Sequence, residues 1–515
     1  MKKINVVRTF SFMFAAVMLT KVLGLLRTVF FASAYGQADA FLAAQNIPLI
    51  LFDISLGAAV TSAFIPVFTK SMQKEGHDNA MRFANSFLNL AIIVSGTLSL
   101  IGILFAPYIV KLMTPKLDPE NIALAAQYLR VLFPIIIFTT VTFVFIGILQ
   151  SLNQFKIPSI VSLFSSTVLI LYLIIFNNKF GMNGYIVVML FAWSLQVVIQ
   201  LPSIIKSGYK YSFNISFKDG KLKKVGLLML PILFSTWEQP INTLINQNLG
   251  SYFKEGTITS LLTANTFYLI VAGGFSMVLV NLIFPSLSRS SLLEDKTQFK
   301  NTIIKAMRVT SYIIFPLMIG FIILARDIIT MVYEHGKFGP DLSHDTSTAL
   351  MFYSIGMIGF GIQEICRKAF YSSGNAKIPM KIAWITITTN VVLSIMLSRI
   401  MGIGGIALAA SIASTIGGIM QVVMLNKINK GIISHKFLKD MFKIITISVI
   451  MGAIIYFLRG SLININLRSM FVSKFILVGI CGMTGMIVYF GLTSIFKVEE
   501  AVLGLKMIKT KLKFR

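Results

Sequence analysis

Residues 156–184 read KIPSIVSLFSSTVLILYLIIFNNKFGMNG, and residues 377–405 read KIPMKIAWITITTNVVLSIMLSRIMGIGG. Lys156-Ile157-Pro158 returns as Lys377-Ile378-Pro379, and Gly181 and Gly184 return as Gly402 and Gly405, all at an offset of 221 residues. Between these landmarks each copy carries an apolar run long enough to cross a bilayer. The spacing is kept without a gap. Upstream, Gln150-Ser151-Leu152-Asn153 precedes the first copy and Tyr371-Ser372-Ser373-Gly374-Asn375 the second, while Phe64-Ile65-Pro66 and Ile283-Phe284-Pro285 make a weaker pair at an offset of 219. A duplicated set of membrane spans is the reading that follows.

Working outward, the 515 residues are 56% hydrophobic and 13% charged, with a mean hydropathy of +0.81. Apolar runs of about twenty residues recur along the whole length, which excludes a soluble or secreted enzyme, a disordered chain and a coiled coil. The first run, 10–35, is long, holds Lys21 and Arg27 and lacks a small-residue cleavage site, so it reads as a retained helix. Fourteen candidate spans centre near residues 22, 58, 96, 140, 168, 194, 235, 275, 316, 360, 389, 413, 449 and 482. The fold class is an all-α polytopic membrane protein.

An even number of spans puts both termini on one side. Most of the 46 Lys and Arg fall on the N-terminus, the even-numbered connections and the C-terminus, chiefly 206–224, 289–308, 427–443 and 497–515. By the positive-inside rule both termini are expected in the cytoplasm. The surplus of +27 then reads as orientation and attraction to anionic lipid head groups, not as a nucleic-acid surface. Cys366 and Cys481 lie in separate apolar stretches and form no metal-ligand spacing. The duplication divides the chain into an N-terminal six-helix lobe over 1–215, a C-terminal one over 222–430, and two extra helices with a basic tail over 431–515. Because six is even, the copies are parallel repeats, an arrangement that commonly rocks about a midplane site.

Ionisable groups inside spans cost several kcal/mol near the bilayer centre and tend to line a pathway. Those present are Lys21 and Arg27 in span one, Asp53 in span two, Glu238 in span seven, and Glu364 with Arg367 in span ten. Lys21 and Arg27, six residues apart, point about 120° from one another on a helix, as if flanking a broad cavity. Glu238 lies in Trp237-Glu238-Gln239-Pro240, where proline removes a backbone donor and predicts a break. For Asp53 and Glu364 a structural ion pair stands beside a ligand role, with Arg367 as the i+3 partner of Glu364. All four histidines fall in loops and no nucleotide-binding glycine loop is present, so catalysis and ATP-driven pumping have no support. No cofactor is expected; the drive would be a monovalent cation gradient, the membrane potential or substrate concentration.

Several stretches resemble the MurJ (MviN) family of lipid II flippases within the MATE/polysaccharide-exporter superfamily. They are 20–27 (TKVLGLLR), 38–41 (ADAF), 57–68 (GAAVTSAFIPVF), 284–289 (FPSLSR), 334–338 (EHGKF) and 367–379 (RKAFYSSGNAKIP). The resemblance implies a two-lobed flippase whose central cationic cavity takes the pyrophosphate and sugar head group of an undecaprenyl-linked peptidoglycan precursor. It also implies a groove for the polyprenyl tail in the last two helices. Arg27 and Asp39 match the family's charged positions and Lys21 matches in part; together with Glu238 at the predicted break they make the expected substrate-binding set, with Asp39 acting in gating or in outer-side contacts. Asp53, Thr28, Thr266 and Glu364 are further cavity or structural positions. The chain departs from the family pattern at Lys21 and Thr28, where the family has arginine and an acid, at Asn246-Gln247 in place of Asp-Arg, at Thr266 in place of a cavity arginine, and at Leu49 in place of asparagine.

The alternatives are an exporter of another lipid-linked oligosaccharide, a MATE-type antiporter, and a lipid-binding scaffold that does not transport. A drug antiporter handling cations should line its cavity with acids, whereas span one offers cations. The partners expected are the lipid-linked saccharide, anionic lipids at the cytoplasmic loops and proteins of cell-wall synthesis.

Overall fold

A computed structural model describes residues 6–49, 60–152, 154–214, 220–276, 279, 283, 287, 290–291, 293–462 and 469–502. Every regular element among them is helical. Among the described residues ten helices are long and apolar enough to cross a membrane, and an eleventh span arises if Pro340–Ile355 and Met357–Ser372, bent by 49°, count as one. These eleven meet the expected spans from residue 96 to 194 and from 275 to 482. The span near 22 is the 30-residue helix Val6–Tyr35. The one near 58, with Asp53, lies outside the described residues.

Near 235 the chain is broken as the proline requires. Helix Gly220–Thr236 ends, Trp237 intervenes, and Glu238–Gly250 begins. Pro240 has no N–H for the Thr236 carbonyl, so the ladder resumes one residue later, with Ile241 N donating to Trp237 O at 2.9 Å.

The chain divides into two compact units, 1–259 and 260–515. This boundary is one of packing, distinct from the repeat boundary in the sequence. In the first unit, Gly220–Thr236 packs against Val60–Phe64 and His77–Leu104. One core surrounds Phe41, Leu129, Ile136 and Tyr185, and another Phe64, Phe83 and Ile148. In the second unit the core surrounds Phe299, Met307, Ile365 and Phe370.

The duplication is visible in backbone geometry. Gly181 has φ 55° and ψ −149°, and Gly402 has φ 57° and ψ −132°. Both copies turn through a conformation that only glycine adopts freely, at the same place between the fifth and sixth spans of each repeat. Packing is conserved by exchange. In the first copy Gln196 Nε2 donates to Ser165 Oγ at 3.0 Å. In the second, position 196 corresponds to Gly417, and Gln363, at the position of Thr142, fills the space and donates to Ser414 O at 2.7 Å. Both repeats thus have amide bridges between helices, polar contacts of the kind that tie membrane helices together.

Candidate functional site

Helix Val6–Tyr35 presents a stripe of exposed apolar residues, Leu19, Val22, Leu26 and Phe30. At 100° per residue, Lys21 points about 145° away from the centre of that stripe and Arg27 about 95°. Both are half-buried. The exposed stripe and the two cations therefore lie on different faces of the helix. Among the described residues neither has a carboxylate within 4 Å, so their charge is not cancelled by a neighbouring ion pair. Arg27 lies within electrostatic reach of Tyr185. One turn further along the helix Phe31 packs on Tyr185 and Phe41, with ring centroids 5.2 and 5.0 Å apart. This aromatic cluster fixes the half of the helix that carries Arg27.

Asp39 opens helix Asp39–Pro48 and is buried. Its Oδ2 accepts from Gly256 N at 2.8 Å, and its Oδ1 accepts from Thr259 N at 2.8 Å and Thr259 Oγ1 at 2.5 Å. Ala38 N in turn donates to Thr259 Oγ1 at 3.0 Å. The carboxylate therefore caps the N-terminus of helix Thr257–Tyr268, where unpaired N–H groups and the helix dipole favour negative charge. Along helix Asp39–Pro48, Asn46 Nδ2 donates to Gln247 Oε1 at 3.0 Å, a neutral amide contact.

Glu238 is buried in the first turn of Glu238–Gly250. It stands directly after the break at Trp237, at the start of a helix that rises about 18 Å. Thr28 Oγ1 donates to Leu25 O of its own helix at 2.8 Å. Thr266 is half-buried in Thr257–Tyr268, immediately before the π-helical turn Leu269–Gly273. Glu364 is paired with Arg367 Nη2 at 2.5 Å, the i+3 partner expected. Asp39 and its partners thus form one cluster, Lys21 and Arg27 share a helix without sharing a face, and Glu364 belongs to a separate ion pair.

Sequence reasoning missed two charge clusters in the second unit. Asp327 is fully buried between Arg459 Nε at 2.5 Å and Lys474 Nζ at 2.6 Å. Arg308 is buried against Asp440 at 3.3 Å, Glu499 at 2.7 Å and Glu500 at 2.9 Å. The span count held the signal for the first, since it puts the end of span nine and the connection between the last two spans on one face. A smaller cluster in the first unit pairs Glu75 with Lys221.

A family model described as lipid II flippase MurJ matches residues 26–477. A probable lipid II flippase MurJ of Vibrio cholerae serotype O1 is 27% identical over 416 residues, covering 78% of this chain and 79% of its own. A solved structure of lipid II flippase MurJ in an inward closed conformation superposes with a TM-score of 0.79 at 27% identity, covering 94% of this chain and 98% of the other. An inward-facing MATE multidrug transporter of the MOP superfamily superposes with a TM-score of 0.66 at 12% identity, over 80% of this chain and 95% of its own, a likeness of fold alone.

Proposed function

Because the chain belongs to the MurJ family of lipid II flippases, we propose that it carries lipid II, an undecaprenyl-pyrophosphate-linked peptidoglycan precursor, across the bacterial cytoplasmic membrane by alternating access. It is a multi-pass membrane transporter and not an enzyme. The observation that carries the reading is the pair of cations in the first helix, turned away from its exposed apolar stripe and without carboxylate partners among the described residues. A pyrophosphate head group needs such charges, because attraction strengthens as water is excluded and an unpaired cation inside a span is otherwise costly.

Lys21 and Arg27 neutralise the head-group phosphates. Asp39 latches the outer end of its helix to Thr257–Tyr268 and must release those three hydrogen bonds when the path opens outward. Glu238, at the break in its span, would meet a coupling cation or sugar hydroxyls, with the membrane potential as an alternative drive. Both termini face the cytoplasm, where the basic connections meet anionic lipids. The nature of the cargo puts the partners among the proteins that make and polymerise the precursor.

The test is translocation of lipid II in reconstituted vesicles. Lys21→Ala and Arg27→Ala are each expected to slow transport on the order of tenfold, the loss of one charge-assisted contact. Unchanged transport in both would remove the head group from this site.

A further inference from the structure

Helices in lipid gain nothing from hiding apolar surface from one another, since the acyl chains are as apolar as their side chains. Specific docking must come from polar contacts and close packing. His435–Leu462 and Met470–Ile495 pack on each other and on Thr297–Tyr333, and they leave Phe442, Phe457, Met483 and Ile487 exposed.

Two ion clusters hold this trio, one at each end. Asp327 of Thr297–Tyr333 receives Arg459 from one partner helix and Lys474 from the other. Arg308, nineteen positions earlier on the same helix, receives Asp440 from the first partner and Glu499 and Glu500 from just beyond the end of the second. Nineteen residues of helix rise about 28 Å. A bilayer's hydrocarbon core is about 30 Å thick, so the clusters mark its two faces.

Their polarity is reversed. At one end the long helix supplies the acid and the pair supplies the bases; at the other it supplies the base and the pair supplies the acids. Docking upside down would set like charge against like at both ends, and slipping by one turn would leave Asp327 buried without a cation. Between the clusters the packing is close: Tyr489 OH donates to Tyr312 O at 2.8 Å, and a Cβ at Gly452 would lie 3.8 Å from the Ile319 Cβ.

We propose that Asp327 and Arg308 are positioning residues which key the last two helices to Thr297–Tyr333 in one orientation and register, so that the three move as one body during transport. The second clause rests on the flippase reading; the first does not. Ile319→Cys with Gly452→Cys, in the full chain with Cys366 and Cys481 changed to serine and held in lipid nanodiscs, has the Cβ separation of a relaxed disulfide.

Mild oxidation is expected to close this disulfide quickly. Asp327→Asn should slow closure on the order of tenfold, because it leaves two cations unpaired in the docked state. The triple change Asp327→Asn, Arg459→Gln, Lys474→Gln should stay slow, and Asp327→Glu should recover most of the rate. Closure as fast in Asp327→Asn or in the triple variant as in the parent would overturn the key, as would a disulfide that never forms. In vesicles the oxidised protein should move lipid II at the reduced protein's rate. Loss of transport on oxidation alone would overturn the single-body motion, whereas no transport in either state would fail the flippase reading and leave the closure rates to decide the key.

Discussion

At the scale of the residue, Lys21 is a position where charge and hydrogen-bonding geometry can be separated. An ammonium is a compact, strongly hydrated charge, while a guanidinium offers a planar fork that meets phosphate with two hydrogen bonds. Lys21→Arg is therefore expected to tighten binding of a short-chain polyprenyl pyrophosphate roughly three- to tenfold, about 1 kcal/mol, measured by calorimetry in detergent. An affinity that stays level or weakens would put Lys21 away from the phosphates. Lys21 and Arg27 were legible in the sequence because a charge inside an apolar run is expensive and stands out, and Asp39 only through the family-like stretch 38–41. The partners of Asp39 were not, since Gly256 and Thr259 are 217 and 220 residues away and nothing local points to them. Asp327 was hidden for another reason: beside Arg326, at the end of an apolar run, it reads as an ordinary interfacial charge, and only the fold shows it fully enclosed.

At the scale of the element, hydropathy sufficed for most of the spans, because a bilayer demands length and apolarity and little else. Bends were harder. The break at Trp237 was announced by Pro240, but the 49° bend between Pro340–Ile355 and Met357–Ser372 was not. Its cause is contact at a distance in sequence: Gly356 and Gly359 let the backbone approach Ser411 and Thr415 where any Cβ would collide. Pro240 also sets an energetic expectation. Proline inside a helix costs about 3 kcal/mol relative to alanine, and its retention makes sense if the break is used. Pro240→Ala should restore the missing N–H, favour a continuous helix through Trp237, raise the thermal unfolding temperature in detergent and lower lipid II transport. A variant that melts higher and transports normally would show that the break is incidental.

At the scale of the whole molecule, the charges that orient the chain and those that hold it together respond to different measurements. The hydrogen bond from Arg308, and then its charge, hold the Glu499 carboxyl below the ordinary glutamate value. A carboxyl depressed in the folded state contributes stability that is present above its unfolded value, about 4.3, and is lost as pH falls through the lower folded one. The unfolding temperature should therefore drop on acidification below about pH 4.3, and Glu499→Gln should begin lower and lose less over that range.

Orientation is tested separately. The even span count and positive-inside sidedness expected from the sequence would place residues 206–214 and both termini on the cytoplasmic face, and residues 114–118 on the opposite one. With Cys366 and Cys481 removed, Lys210→Cys should react with a membrane-impermeant maleimide only in inside-out vesicles, and Lys116→Cys only in right-side-out vesicles, both positions being exposed. If Lys210→Cys were labelled from outside, the count of spans or the sidedness would be wrong. Asp39 would then close the cytoplasmic end of the path instead of the outer one, and lipid II would meet the latch on entry rather than on release.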